Sequence, residues 1–141
     1  MNCLIIEDEK EAAIKLSGMI GKYDRNIVIL DTIQSFKNAV IWLNKNESPD
    51  LIFMDIQLAD GLSFEIFEQT IVKAPVIFTT AYDEYALKAF KVNSIDYLLK
   101  PIDQSELNQA VDRYKENNAP KEISAQVFDT ILHTLSKKYK S

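Results

Sequence analysis

Leu51-Ile52-Phe53-Met54-Asp55 is the stretch whose reading decides the fold. Four consecutive apolar residues are too few for a helical face, and Ser48-Pro49-Asp50 bounds them, so they read as a strand buried on both faces. The run stops at a carboxylate, Asp55. Ile56-Gln57-Leu58-Ala59 follows, then Asp60-Gly61, a strong turn signal. Open α/β sheets place ligand chemistry at the carboxyl ends of their strands, which makes Asp55 a candidate functional residue. Taken alone, the plainer reading is a strand cap solvated in a loop, as most acidic loop residues are.

Outward from this strand the chain alternates strand and helix. Asn2-Cys3-Leu4-Ile5-Ile6 is a first strand, ending in Glu7-Asp8-Glu9. Ala13, Leu16, Ile20 and Tyr23 recur at helical spacing after it, and Asp8 or Glu9 favours the helix start through the backbone dipole. Ile27-Val28-Ile29-Leu30 is a second strand. Phe36, Ala39, Val40 and Leu43 mark the next helix, with Ser35 as its cap. Beyond the central strand, residues 62–72 predict a third helix with Phe64, Phe67 and Ile71 on one face. Pro75-Val76-Ile77-Phe78-Thr79 is a fourth strand, residues 85–92 a short helix and residues 95–99 a fifth strand. After Lys100-Pro101, Asp103-Gln104-Ser105-Glu106 has the form of a capping box with Asp103 in the Ser/Thr position. Leu107, Ala110, Val111 and Tyr114 carry that helix to about residue 117. Five alternations argue for a doubly wound parallel sheet with helices on both faces, in the strand order 2-1-3-4-5.

The bulk properties narrow the function classes. The 141 residues suit one domain with a full core, and 47% hydrophobic with 26% charged residues is ordinary for a globular protein. The net charge of −5 argues against non-specific binding to phosphate backbones. A single cysteine, Cys3, excludes an internal disulfide and reads as a small buried hydrophobe, in keeping with a reducing compartment. No apolar run approaches bilayer length and no basic-then-apolar leader is present, so the expectation is a cytoplasmic protein without membrane contact. Trp42 reads as core or rim packing, and the lone His133 as an exposed polar residue.

The strand ends supply the chemistry. The first strand delivers Glu7 and Asp8, the third Asp55, the fourth Thr79, Thr80 and Ala81, and the fifth Lys100. With strands one and three adjacent, Glu7, Asp8 and Asp55 converge. Clustered carboxylates repel unless a cation neutralises them, and hard oxygens with room for water suit Mg²⁺. Thr80 and Lys100 face the cluster with a hydroxyl and an ammonium, suited to holding phosphoryl oxygens.

Glu7-Asp8, Asp55, Thr80-Ala81, Tyr97 and Lys100-Pro101, in this order and βα context, resemble the receiver domain of two-component response regulators over residues 1–117. The runs Asp96-Tyr97-Leu98-Leu99-Lys100-Pro101-Ile102-Asp103 and Thr80-Ala81-Tyr82-Asp83-Glu84-Tyr85-Ala86 are most similar to the LytR/AlgR type, whose usual output is a LytTR DNA-binding domain. The resemblance implies that Asp55 accepts a phosphoryl group from the phosphohistidine of a sensor histidine kinase. It implies Mg²⁺ held by Asp8, Asp55 and the Gln57 backbone carbonyl, with Glu7, where many receivers have aspartate, acting through a bound water. Lys100 would pair with a phosphoryl oxygen, and Lys100-Pro101 would be cis. Thr80 and Tyr97 would switch on phosphorylation, and Tyr82 would hinder hydrolysis. The resemblance also implies a symmetric homodimer through the face of the fourth helix, fifth strand and fifth helix, with Lys88, Lys91, Asp96 and Arg113 there. Residues 118–141, with the apolar stripe Val127, Phe128, Ile131, Leu132 and Leu135 and a basic end, either pack on the domain or read as a linker or extra helix leading to an output domain absent from this chain. DNA would be contacted only through that domain.

Two rivals stand beside this reading. Haloacid dehalogenase-type phosphatases also carry an aspartate nucleophile after a buried strand, but they want a second acid where Gln57 stands. An interaction domain that is never phosphorylated would keep the fold, although the intact acidic set speaks against it.

Overall fold

The structure is a computed structural model that describes residues 1–81 and 96–117. Tyr82, the expected helix at 85–92 with Lys88 and Lys91, the expected strand start at residue 95, and residues 118–141 with His133 lie outside the described residues. The elements in chain order are β1 (Asn2–Ile6), α1 (Lys10–Tyr23), β2 (Val28–Ile33), α2 (Phe36–Lys45), β3 (Leu51–Asp55), α3 (Ile66–Gln69), β4 (Val76–Thr80), β5 (Asp96–Leu99) and α4 (Gln104–Asn117). The helix α4 is the one expected after Lys100-Pro101. Numbering only the main sheet, the strand order is β2-β1-β3-β4-β5 with every pairing parallel, as the alternation requires.

Side chains alternate across the sheet and sort into two cores. Leu4, Ile6, Ile52, Met54 and Phe78 face one side, where Ala39 of α2 and Phe64 and Ile66 around α3 cover them. Phe64 meets Phe78 edge-on at 5.1 Å between ring centroids. Cys3, Ile5, Leu51, Phe53 and Ile77 face the other side, under Leu16 and Ile20 of α1 and Leu107, Ala110 and Val111 of α4. β3 is buried along its whole length, the consequence of lying at the centre with a core on each face. Burial pushes the Cys3 thiol up to about 11, which leaves it an inert hydrophobe.

Polar contacts fix the helix ends. Ser35 Oγ accepts the Asn38 amide at 3.1 Å, as expected of the cap. Asp103 Oδ1 accepts the amides of Ser105 at 2.7 Å and Glu106 at 3.3 Å. Gln104 Nε2 donates to the Met19 carbonyl at 2.9 Å, tying α4 to α1. At the far end of the same pair, Tyr23 OH bonds Asp112 and the Lys115 ammonium lies 4.8 Å over the Tyr23 ring.

Three expected elements differ. The third helix was expected over 62–72. The chain instead pairs Gln57–Leu58 antiparallel with Gly61–Leu62, runs a 3₁₀ turn over Ser63–Glu65, and holds α-helix only from Ile66 to Gln69. Thr70 is extended and its hydroxyl bonds Asn44 Oδ1 at 2.6 Å, so the β-branched run Thr70-Ile71-Val72 leaves the helix. Ile71, expected on the buried face, is 73% exposed, and Val72 and Ala74 fill the core in its place. β2 starts one residue late and continues to Ile33, because at the sheet edge the faces are open enough to leave the polar Asp31 and Thr32 exposed. Pairing skips Leu30, with Ile29 opposite Cys3 and Asp31 opposite Leu4. β4 also begins one residue later, at Val76, and reaches Thr80.

Phe53→Ala removes a side chain packed on all sides, and about 3–5 kcal/mol of stability should go with it; the midpoint of urea unfolding measures the loss. Asp60 and Asp103 both sit below the ordinary carboxylate range, Asp60 chiefly through the Phe36 amide and Asp103 chiefly through the Ser105 side chain. Each therefore contributes stability that is full above the ordinary carboxylate pKa and lost as pH falls through its depressed value. An Asp60→Asn, Asp103→Asn double variant should show a flatter acid limb in a pH series of thermal melts.

Candidate functional site

The parallel ladders carry on past the strand ends and bring the site residues to one edge. The Glu7 amide bonds the Ile33 carbonyl at 2.8 Å, the Ile56 amide bonds Thr79 at 3.1 Å, and the Lys100 amide bonds Thr80 at 2.7 Å. Asp55 stands opposite Thr79, and Thr80 opposite Leu99. The β1–β3 boundary is the point where the strand order reverses, the crevice in which doubly wound sheets bind ligands. Asp8, Asp55, Gln57, Thr80, Ala81 and Lys100 line one open pocket there.

Lys100 organises the charges. Its Nζ lies 2.6 Å from Glu7 Oε1 and 3.0 Å from Asp55 Oδ2. Burial alone would lower the ammonium pKa, but the hydrogen bonds and charges of Glu7 and Asp55 outweigh it and hold Lys100 above its ordinary value. Glu7 is 2% exposed, and its other oxygen accepts the Glu9 amide at 3.1 Å. Asp55 is 7% exposed, and its Oδ1 receives the Gln57 amide at 3.3 Å. The Lys100-Pro101 peptide bond is cis, as expected.

Glu7, Asp8 and Asp55 offer ligand oxygens that all lie within 4.8 Å of one another. Three carboxylates against one ammonium leave negative charge in excess. At that spacing like charges repel by roughly 3 kcal/mol per pair at an effective dielectric constant of 20. Burial, and after it the hydrogen bond and charge of Glu7, raise the Asp8 carboxyl above its ordinary value. Hard oxygens, excess negative charge and an open side for water are the donor set that Mg²⁺ takes.

The structure thus brings together Glu7, Asp8, Asp55, Gln57, Thr80 and Lys100. Tyr97 is half-buried against the α2–α3 core and lines a second pocket with Asp96, Leu99 and Arg113, away from the carboxylates. Asp96 and Arg113, expected to carry charge across a two-fold, pair with each other within the chain: Arg113 Nη2 reaches Asp96 Oδ1 at 3.0 Å and Nε reaches Oδ2 at 3.1 Å. Sequence reasoning did not foresee the Glu7–Lys100 pair. The one signal for it was the longer glutamate arm at a position where aspartate is usual.

Fold and pocket define the class: a doubly wound α/β protein with an acidic, lysine-bridged crevice at its switch point. The chain belongs to the response regulator receiver domain family, whose model matches residues 3–112. It is 35% identical over 118 residues to the sensory transduction protein LytT of Enterococcus faecalis, covering 80% of this chain and 47% of that protein. A response regulatory protein of Vibrio parahaemolyticus is 34% identical over 139 residues, covering 93% of this chain and 56% of the relative. The chain therefore spans about half the length of these relatives. Among solved structures, the response regulatory domain of mrkE from Klebsiella pneumoniae superposes with a TM-score of 0.68 at 29% identity, over 83% of this chain and 97% of that one. A two-component response regulator from Clostridium difficile gives 0.67 at 28% identity, over 84% and 99%. The family match selects the receiver over the phosphatase alternative.

Lys100→Met strips the cation from Glu7 and Asp55. It should cost the metal-free protein about 3 kcal/mol, the low end for a broken buried pair because the lysine side chain keeps 22% exposure. Urea unfolding with and without Mg²⁺ measures it, and Mg²⁺ should return part of the loss. Asp8→Asn relieves a carboxylate the fold disfavours when charged, so the melting temperature of the metal-free protein should rise while Mg²⁺ no longer shifts it.

Proposed function

We propose that this chain is the phosphoacceptor module of a two-component response regulator, with Asp55 as the acceptor. The observation that carries the reading is the Lys100 ammonium seated between Glu7 and Asp55 at the edge where Asp8 and Thr80 also end. In the reaction an Asp55 carboxylate oxygen attacks the phosphorus of a kinase phosphohistidine; the P–O bond forms, the P–N bond breaks, and the imidazole leaves with the electron pair. Asp8, Asp55 and the Gln57 carbonyl would hold Mg²⁺, with Glu7 acting through a bound water. When bound, the ion neutralises charge on the transferring group. Lys100 pairs with a phosphoryl oxygen as it exchanges out of its contact with Asp55, and its remaining contact with Glu7 keeps it aimed at the pocket.

Phosphate on Asp55 offers the Thr80 hydroxyl an acceptor that the bare carboxylate does not. Thr80 moves toward it and Tyr97 turns inward behind it, which reshapes the surface that includes Asp96 and Arg113. That surface is where we place a phosphorylation-dependent homodimer. Residues 1–117 form the receiver unit and 118–141 a connection to a LytTR-type DNA-binding output, which would make the whole protein a cytoplasmic transcription regulator. The half-length match to LytT supports the existence of a second half. Among the described residues no helix is long and apolar enough to cross a membrane.

Incubation with acetyl phosphate and Mg²⁺, followed by intact mass measurement, should give a single phosphate adduct. The adduct should be absent in Asp55→Asn and absent when Mg²⁺ is chelated. An unmodified mass from the wild-type protein, with this donor and with a phosphorylated histidine kinase, would sink the proposal.

A further inference from the structure

The loop that follows Asp55 is held by a contact from another element. Gln57–Leu58 pairs with Gly61–Leu62, and Gly61 takes φ +149°, a backbone state open to glycine. The Ser63 amide closes the base of this loop on the Ile56 carbonyl at 2.8 Å. Ile56 and Leu58 are buried roots, while Gln57 between them lines the acidic pocket together with Leu58 and Ala59. A two-stranded hairpin of this size has no independent stability, so its position is set by what grips it.

The grip at the tip is Asp60. Its Oδ1 accepts the Phe36 amide at 2.8 Å and its Oδ2 the Lys37 amide at 3.2 Å, the first two amides of α2. That helix has no acidic residue in its own first turn, and its own cap, Ser35, engages a different amide, that of Asn38. The first turn of α2 thus carries two caps, one from its own chain segment and one from the loop beside the pocket. The second works in both directions: it completes α2, and it pins the hairpin tip.

We infer that Asp60 is a positioning residue for the divalent cation, clamping residues 57–59 against the pocket so that the Gln57 backbone stays in place for the ion. The inference rests on the Mg²⁺ reading of the pocket. Asp60 touches neither the ion nor the phosphoryl group; it acts through the hairpin.

Calorimetric titration of the unphosphorylated protein with MgCl₂ tests it. Asp60→Ala should weaken Mg²⁺ binding roughly tenfold, as loss of a supporting contact around a metal does. Asp60→Asn, which keeps an amide-accepting oxygen, should fall between. Ser35→Ala loosens the same helix end without touching the hairpin, and should leave Mg²⁺ affinity unchanged. The acetyl phosphate rate at saturating Mg²⁺ should be preserved in Asp60→Asn, with the change confined to the Mg²⁺ concentration required. Wild-type affinity in Asp60→Ala, or an equal loss in Ser35→Ala, would overturn the inference. Should Asp60→Ala fail to fold, Asp60→Asn carries the test alone, and wild-type affinity there is equally fatal. A wild-type protein that binds no Mg²⁺ removes the underlying reading as well, an outcome distinct from wild-type binding that the variants share.

Discussion

The Lys100 ammonium between Glu7 and Asp55 is the contact on which the arrangement depends. Without a cation, three carboxylates within 4.8 Å would have to protonate or separate. Because Lys100 follows β5 and Glu7 follows β1, this one contact joins the outermost strand end to an inner one across β3 and β4. It also leaves the pocket short of positive charge. One ammonium against three carboxylates leaves about two negative charges in excess, a charge that suits a small divalent ion.

The architecture was legible because it follows from composition along short runs. Leu51-Ile52-Phe53-Met54 has no polar face, so it must lie in the middle of a sheet covered on both sides, and the alternation around it leaves a parallel, doubly wound order. Once the order is known, every strand end is placed, and Asp8, Asp55, Thr80 and Lys100 fall at one edge with no knowledge of side-chain conformation. The caps at Ser35 and Asp103 were legible for the same reason: they depend on residues a few positions apart.

What was not legible depends on partners distant in the chain. The third helix has a helical apolar pattern, yet Leu62 is taken by the hairpin and Thr70 by Asn44 on α2, and neither partner shows in a local window. The Asp60 cap spans 24 residues, and by local signal Asp60 is a turn residue and nothing more. Asp96 and Arg113 likewise read from sequence as two surface charges facing outward across a two-fold. The structure makes them partners because β5 and α4 pack side by side.

The skipped residue in β2 bears on how this molecule keeps company with itself. β2 is one of the two outer strands of the sheet, and an uninterrupted, flat border of unpaired amides and carbonyls invites another polypeptide to zip onto it. Leu30 breaks the repeat and Asp31 follows it with a charge, so this border is a poor template for runaway strand addition. The fold is thereby protected on this side from an irreversible kind of self-association.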